Sequence, residues 1–375
     1  MNEAIQPITM PQWGLAMTEG TVAAWQVTEG AEVNAGDEIM EIETSKITNV
    51  YEAPANGILR RRVVDDGQTV PVKALLGIVA AADTSDSEID AFIESYNKKF
   101  EEALAAAEEA GGAPEPVFAD VGGHRLCYLR MGPEDGTPLV LLHGFGGDLN
   151  NWMFNQPILA EDFSVYAVDF PGHGQSAKEI GSAGIDALTL TVLSLMDTLK
   201  IDRAHLAGHS MGGAVALNLA LSDAARVASL TMVAPAGLGP DINSDYLSGF
   251  VQAARRKEMK VLLQELFADP TLVSRDMVND ILKYKRLDGV DRALSTISEA
   301  VFPGGRQALV LRDRLGELTV PAQVIWGKQD RILPVSHADG LPDTVSVHLF
   351  EGTGHMAHME RATDVNGLIA ALARS

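Results

Sequence analysis

Glu41-Ile42-Glu43-Thr44-Ser45-Lys46 decides how the first eighty residues are read, because a repeat surrounds it. Set against itself with an offset of 37 residues, the chain aligns Gly20 with Gly57, Val22 with Leu59, Val27 with Val64 and Gly30 with Gly67. The register continues through Val33 and Val70, Ile39 and Leu76, and Ile42 and Val79. Short apolar runs broken by Glu29-Gly30, Ala35-Gly36-Asp37, Asn56-Gly57 and Asp66-Gly67 predict two quasi-equivalent small sheets closing one core. Lys46 falls in the junction between the halves, at an expected hairpin tip. Most turn lysines are merely solvated. One held on a rigid turn inside a duplicated frame is placed to carry a prosthetic group to other active sites.

Beyond residue 80 the period changes. Ile89, Phe92, Ile93, Tyr96, Phe100 and Leu104 recur at three- and four-residue steps and predict an amphipathic helix over about 84–110. Ser87 and Asp90 are spaced as its capping pair, and Gly111-Gly112-Ala113-Pro114 reads as a stop and hinge. A flexible tether would be richer in Pro and Ala, so this helix is expected to dock. The following domain is the plainer surface for it and a partner subunit the sharper one. From about 117 strand runs alternate with helical patterns, which predicts an α/β sheet. The strands are read at 139–143, 164–169, 204–207, 229–233, 322–326 and 345–350. A mostly helical insertion, about Leu238 to Leu315, is expected as a cap over the carboxyl edge of the sheet. The predicted domains are thus 5–80, a helical linker over 81–116, and 117–375.

Composition narrows the partners. The 375 residues carry a net charge of -22, with a sequence pI near 4.7. Such a chain is repelled by nucleic acid and by anionic membrane surfaces. The longest apolar run, Ala74 to Ala82, is too short to cross a bilayer, and Met1 to Met10 has no secretory pattern. A single cysteine, Cys127, excludes an internal disulfide and fits a reducing, cytoplasmic location. Its strand-like run Arg125-Leu126-Cys127-Tyr128 suggests an inert buried thiol.

Gly208-His209-Ser210-Met211-Gly212-Gly213 follows a strand and opens a helix. That strand-turn-helix bends so sharply that only glycine fits on either side, which leaves Ser210 exposed above the sheet. Alone the pattern is weak. Downstream, Trp326-Gly327-Lys328-Gln329-Asp330 puts an acid after one strand, and Gly352-Thr353-Gly354-His355 puts a histidine after the last. A serine hydroxyl needs a base to take its proton, the role read for His355, and the base needs an acid to orient it, the role read for Asp330. His358 and His337 are the rivals for the base. Charge building on an attacked carbonyl oxygen needs donors in place, read as the backbone N–H groups of Met211 and of Phe145 in His143-Gly144-Phe145-Gly146-Gly147. His143 and His173 are read as turn histidines bonded to backbone. No cluster has ligand spacing, so no metal is expected.

Two resemblances follow from these motifs. Residues 5–80 resemble the lipoyl domains of 2-oxo acid dehydrogenase complexes, through Met10-Pro11-Gln12-Trp13-Gly14-Leu15-Ala16-Met17-Thr18-Glu19-Gly20, Glu41 to Lys46 and Ala53-Pro54-Ala55-Asn56-Gly57. The resemblance implies a flattened all-β barrel with a lipoyl group attached at Lys46. Biotin carriers share that fold but typically flank the lysine with methionines, where this chain has Ser45 and Ile47. Ser45 also stands where the lipoyl family usually has Asp. Residues from about 117 resemble the α/β-hydrolase superfamily. The combination is similar to the dihydrolipoamide acetyltransferase components of bacterial acetoin dehydrogenase complexes. The HxxxDG signature of ordinary acyltransferase components is missing, since His337-Ala338-Asp339-Gly340 has the wrong spacing. No clear subunit-binding module is visible over 81–116.

The resemblance implies transfer of an acetyl group from the lipoyl arm on Lys46, through Ser210, to coenzyme A. It also implies a thiamine-dependent acetoin dehydrogenase component and a dihydrolipoamide dehydrogenase as partners, and a homo-oligomer within a complex. Arg255, Arg256, Lys257 and Lys260 would meet the phosphates of coenzyme A, or else form a solvated helix face. Two other functions fit the same triad. One is a thioesterase or carboxylesterase fused to a lipoyl domain; the other is a carrier or scaffold whose hydrolase domain has no catalytic part. The triad by itself does not choose between water and a thiol as acceptor.

Overall fold

In the computed structural model, residues 5–11, 19–43, 48–109 and 114–375 are described, and the chain divides into two compact units, 1–113 and 114–375. The first unit contains two four-stranded antiparallel sheets. One runs in the order Ile5–Thr9, Leu75–Ala80, Gly57–Arg62, Glu32–Val33; the other runs Thr48–Glu52, Glu38–Glu43, Glu19–Trp25, Thr69–Pro71. The duplication seen in the sequence is visible bond by bond. The Gly30 N–H donates to the Leu59 carbonyl at 2.7 Å, and 37 positions on the Gly67 N–H donates to the Val22 carbonyl at 2.7 Å. Leu59 N–H to Ala31 O and Val22 N–H to Gln68 O repeat the same exchange. Each half therefore completes the sheet of the other. The matched apolar positions Val22, Leu59, Ile39, Leu76, Ile42 and Val79 are all buried in one core.

The helix Asp86–Glu109 docks on this same unit. Ile89 is fully buried against Ile5, Leu75, Ile78 and Ala80, with Phe92, Ile93 and Tyr96 beside it. The Tyr96 hydroxyl donates to the Lys73 carbonyl at 2.9 Å, and Asp86 pairs with Arg60 at 3.0 Å. The capping pair also lies two residues earlier than expected. Ser85 Oγ accepts from the Glu88 N–H while Glu88 Oε2 accepts from the Ser85 N–H, a reciprocal box. The predicted hinge at 111–113 lies outside the described residues.

The second unit is built on one eight-stranded sheet, ordered Val345–Phe350, Ala322–Gly327, Val227–Val233, Ala204–His209, Thr137–Leu142, Phe163–Val168, His124–Met131, Val117–Val121. All six strands read from the sequence are present and pair in parallel. The antiparallel pair Val117–Val121 and His124–Met131 extends one edge. From Thr137–Leu142 the chain crosses first to one neighbour and later to the other. The switch point therefore lies beside Ala204–His209, where α/β sheets place their ligands. Between Val227–Val233 and Ala322–Gly327 the chain inserts the helices Ser244–Gln252, Arg256–Gln264, Arg275–Lys285 and Val290–Val301, which form the cap.

Candidate active site

Ser210 sits where Ala204–His209 turns into the helix Met211–Ser222, with φ 53° and ψ −116°. A non-glycine residue held at positive φ stores strain, and neighbouring sterics enforce it here. A Cβ on Gly208 would lie 2.3 Å from the Gly212 carbonyl oxygen, and one on Gly212 would lie 2.4 Å from that of Leu142. These clashes are with backbone and leave no room for any side chain. The Ser210 N–H is tied to the Val233 carbonyl at 3.0 Å, and its own carbonyl accepts from Ala236 at 3.0 Å. The elbow is fixed from both sides.

His355 and Asp330 are brought together by the last two strands of the sheet. His355 Nδ1 lies 2.8 Å from Asp330 Oδ2, and both side chains are almost fully buried. The Asp330 carboxylate is held on each oxygen. Oδ1 accepts the N–H groups of Ile332 and Leu333 at 2.7 and 3.0 Å, and Oδ2 also accepts Trp326 Nε1–H at 2.9 Å. That leaves the carboxylate one orientation, aimed at the imidazole. Close approach of the two loops needs Gly327, whose Cβ would fall 2.2 Å from the Gly354 carbonyl oxygen. His355 is linked to the elbow through its carbonyl, which accepts from His209 Nε2 at 3.1 Å. Among the described residues no hydrogen bond joins Ser210 Oγ to His355. Catalytic contacts of this kind often tighten only with substrate present.

The rival histidines occupy other places. His337 packs on Trp326 with a ring separation of 6.3 Å, and its nearest carboxylate is Asp241 at 4.0 Å. His358 is sandwiched between Trp152 and His209 at 4.6 and 4.5 Å. It leans toward the Asn151 backbone, but neither ring nitrogen reaches a bond of normal geometry. Burial, with His355 nearby, pushes it down to about 3, so it stays neutral.

The loop expected to supply the second donor is pinned from beneath. His143 Nδ1–H donates to the Gly144 carbonyl at 2.7 Å while Nε2 accepts the Phe170 N–H at 3.0 Å. His173 does the same with the Pro171 carbonyl and the Gly146 N–H. Both rings are acceptors at Nε2 and therefore neutral. Burial drives His143 down to about 4 and His173 well below its ordinary value. Asp169, unremarked in the sequence, bonds the N–H groups of Leu149 and Gln175 at 2.7 Å each and so ties both histidine loops together. Its carboxyl is pushed up to about 6 by burial, with Asp148 adding to the shift. The N–H groups of Phe145 and Met211 donate to no described protein partner. They are free for an incoming oxygen. Phe145 is packed edge-on against Phe250 and Phe302 of the cap at 6.0 and 6.1 Å. Cys127 is fully buried and its thiol is pushed up to about 12, chiefly by desolvation.

Lys46 lies outside the described residues. The strands on either side of it pair antiparallel up to Glu43 and Thr48, so residues 44–47 connect the end of that ladder. Among the described residues no cluster of His, Cys, Asp and Glu has a metal-holding arrangement, and no helix is long and apolar enough to cross a membrane.

Known proteins resemble the whole chain and each part. The alpha/beta hydrolase fold family matches residues 137–362, and the biotin-requiring enzyme family matches residues 6–79. The chain is 50% identical to a dihydrolipoyllysine-residue acetyltransferase component of an acetoin cleaving system from Pseudomonas putida, over 99% of both chains. It is 45% identical to the component of the same name from Cupriavidus necator, over 98% of this chain and 97% of that one. Among solved structures, a 2-hydroxy-6-oxo-6-phenylhexa-2,4-dienoate hydrolase from Rhodococcus shares 24% identity with a TM-score of 0.63. It covers 70% of this chain and all of its own, and the likeness is one of fold.

Proposed function

This chain belongs to the dihydrolipoyllysine-residue acetyltransferase components of acetoin cleaving systems, and from that premise we propose that Ser210 relays the acetyl group to coenzyme A. The observation that supports this reading is the strained elbow at Ser210 beside a buried His355–Asp330 pair, in a chain whose first unit is lipoyl-type. A lipoyl group amide-linked to Lys46 would present its substrate as an acetyl thioester. Ser210 Oγ attacks the thioester carbonyl as His355 Nε2 takes its proton. Asp330 holds Nδ1–H and offsets the imidazolium charge. The oxyanion is received by the Phe145 and Met211 N–H groups, the latter at the positive end of the helix Met211–Ser222. His355 returns the proton to the departing thiolate. The acetyl-serine is then resolved when His355 deprotonates the thiol of coenzyme A, which attacks the ester and frees Ser210.

Phe250 and Phe302 of the cap set apolar surface against Phe145, beside the proposed oxyanion donor. That favours the thiol of coenzyme A over a water molecule as the group that resolves the acetyl-serine. The acetyl thioester would come from a thiamine-dependent acetoin dehydrogenase component, and a dihydrolipoamide dehydrogenase would reoxidise the dithiol, in the cytoplasm. On this reading the carrier domain is 5–80, with the helix of 81–116 packed on it, and the acyl-transfer domain is 117–375, with the cap over about 238–315. The test is product analysis with free acetyl-dihydrolipoamide. Acetyl-CoA formed in proportion to added coenzyme A is expected, and acetate formed regardless of it would establish a thioesterase instead.

A further inference from the structure

Coenzyme A carries a pyrophosphate and a 3′-phosphate, and a chain of net charge -22 repels such an anion unless cations are concentrated somewhere. Residues 238–315 hold 12 of the 29 Lys and Arg against 11 of the 51 Asp and Glu, so the cap escapes the acidity of the rest. Within it lies an open cleft of about 580 Å³ that contains none of Ser210, Asp330 or His355. Leu282 and Leu287 give it apolar surface, and Lys285, Arg286 and Arg292 line it together with Asp288 and Asp291.

Its cations are not equivalent. Lys285 is buried and already engaged: its ammonium donates to the carbonyls of Phe250, Val251 and Ala253 at 2.5, 2.8 and 2.9 Å, and Asp291 stands 3.9 Å away. It is part of the wall. Arg286 and Arg292 are exposed and, among the described residues, have no ion pair and no side-chain hydrogen bond. By contrast, the neighbouring Arg255 faces Glu258 at 3.5 Å, and Arg256 bonds Asn279 at 3.0 Å. With Asp291 turned to Lys285, Asp288 is the one carboxylate of the cleft opposing the two free guanidinium groups.

The cleft also lies near the chemistry. The Lys285 ammonium lies 5.6 Å from the Phe250 ring, and that ring lies 6.0 Å from Phe145, whose N–H is the proposed oxyanion donor. An extended pantetheine arm is longer than these two steps together. We propose that the cleft binds the phosphorylated nucleotide end of coenzyme A, with Arg286 and Arg292 on its phosphates and the adenine over Leu287. This rests on coenzyme A being the acceptor.

The experiment uses the full chain with free acetyl-dihydrolipoamide, and compares coenzyme A with pantetheine, which has the thiol and lacks the nucleotide. R286Q/R292Q is expected to raise KM for coenzyme A about tenfold or more, as loss of charge-assisted phosphate contacts does. Its kcat, and its KM for pantetheine, should stay at the wild-type values. D288N should move KM for coenzyme A the opposite way. An unchanged KM for coenzyme A in R286Q/R292Q overturns the proposal, and so does an equal rise for both acceptors, which would mean general damage to the cap. If the wild type releases only acetate, the acetyltransferase reading itself fails and takes the cleft with it. Failure of the cleft alone would instead leave wild-type acetyl-CoA formation intact.

Discussion

The two units bury polar groups very differently. All nine histidines lie in the second unit, and Thr84 is the buried polar side chain of the first among the described residues. The second unit encloses His143, Asp169, His173, His209, His355 and His358 around one elbow. The first unit therefore behaves as a post: duplicated and apolar inside. The second holds a preorganised polar interior, whose desolvation must be offset by hydrogen bonds and by packing elsewhere. A carrier needs only a stiff support, whereas acyl transfer needs dipoles fixed in advance.

The sharpest way to break this comparison is to separate the chemistries. Ser210→Ala should lower acetyl transfer from free acetyl-dihydrolipoamide by at least roughly 10³-fold, because a triad acts as a unit. Lys46→Arg should leave that reaction untouched and abolish turnover in the assembled system. Loss of the free-donor reaction in Lys46→Arg would show that the units are not chemically separable.

Glycine gives the next largest contrast. At Gly208 an added Cβ meets backbone at 2.3 Å, so Gly208→Ala should cost about 4 kcal/mol or more, or prevent folding of the second unit. Gly36 has φ +91° with nothing within 4 Å of its Cβ position, so Gly36→Ala should cost only about 1 kcal/mol. Calorimetry of the full chain, which should resolve two transitions, checks both.

Acid should then separate the transitions. His143 titrates at about 4 in the fold against 6.5 when free, so the unfolded chain takes up protons first as pH falls. Its stabilising effect is complete above pH 6.5 and is lost on the way down to 4, on the order of 3 kcal/mol for this residue. His173, His209 and His358 act in the same direction. Asp169 acts against them, since a carboxyl raised to about 6 binds its proton more tightly in the fold. The net expectation is a second-unit transition that falls between pH 6.5 and 4, while the histidine-free unit lacks this contribution. Equal shifts of both transitions would contradict it.

The smallest effect concerns the helix. Asp86→Asn removes the ion pairs to Arg60 and Arg61, whose shared carboxylate is mostly exposed, and should change first-unit stability by less than about 1 kcal/mol. A larger loss would mean that charge, rather than the burial of Ile89, docks the helix.

Much of the site was legible because its constraints are local. The elbow demands Gly208 and Gly212 from steric rules that act over five residues, and the order of Ser210, Asp330 and His355 follows the strand ends. The helix illustrates the limit. Its apolar stripe announced that it docks, but a stripe carries no address, and the surface it found was the sheet just before it. Ser85-x-x-Glu88 and Ser87-x-x-Asp90 offer nearly the same capping spacing, and the turn from Ala81 to Thr84 starts the helix at the earlier one. Asp169 and the stack of Trp152, His358, His209 and His355 left no pattern, because segments far apart in the chain supply them. Trp326, four residues before Asp330, was a supporting group within reach of a local reading, as the turn histidines His143 and His173 were.

The residue order alone determined the duplicated barrel, the α/β alternation and the Ser210 elbow, since each follows from periodicity, backbone sterics or a short motif. Only the folded chain decided which histidine meets Asp330, where the helix rests, and which cap arginines remain unpaired. Those are outcomes of long-range packing, where a side chain's partner is set by every element that competes for it.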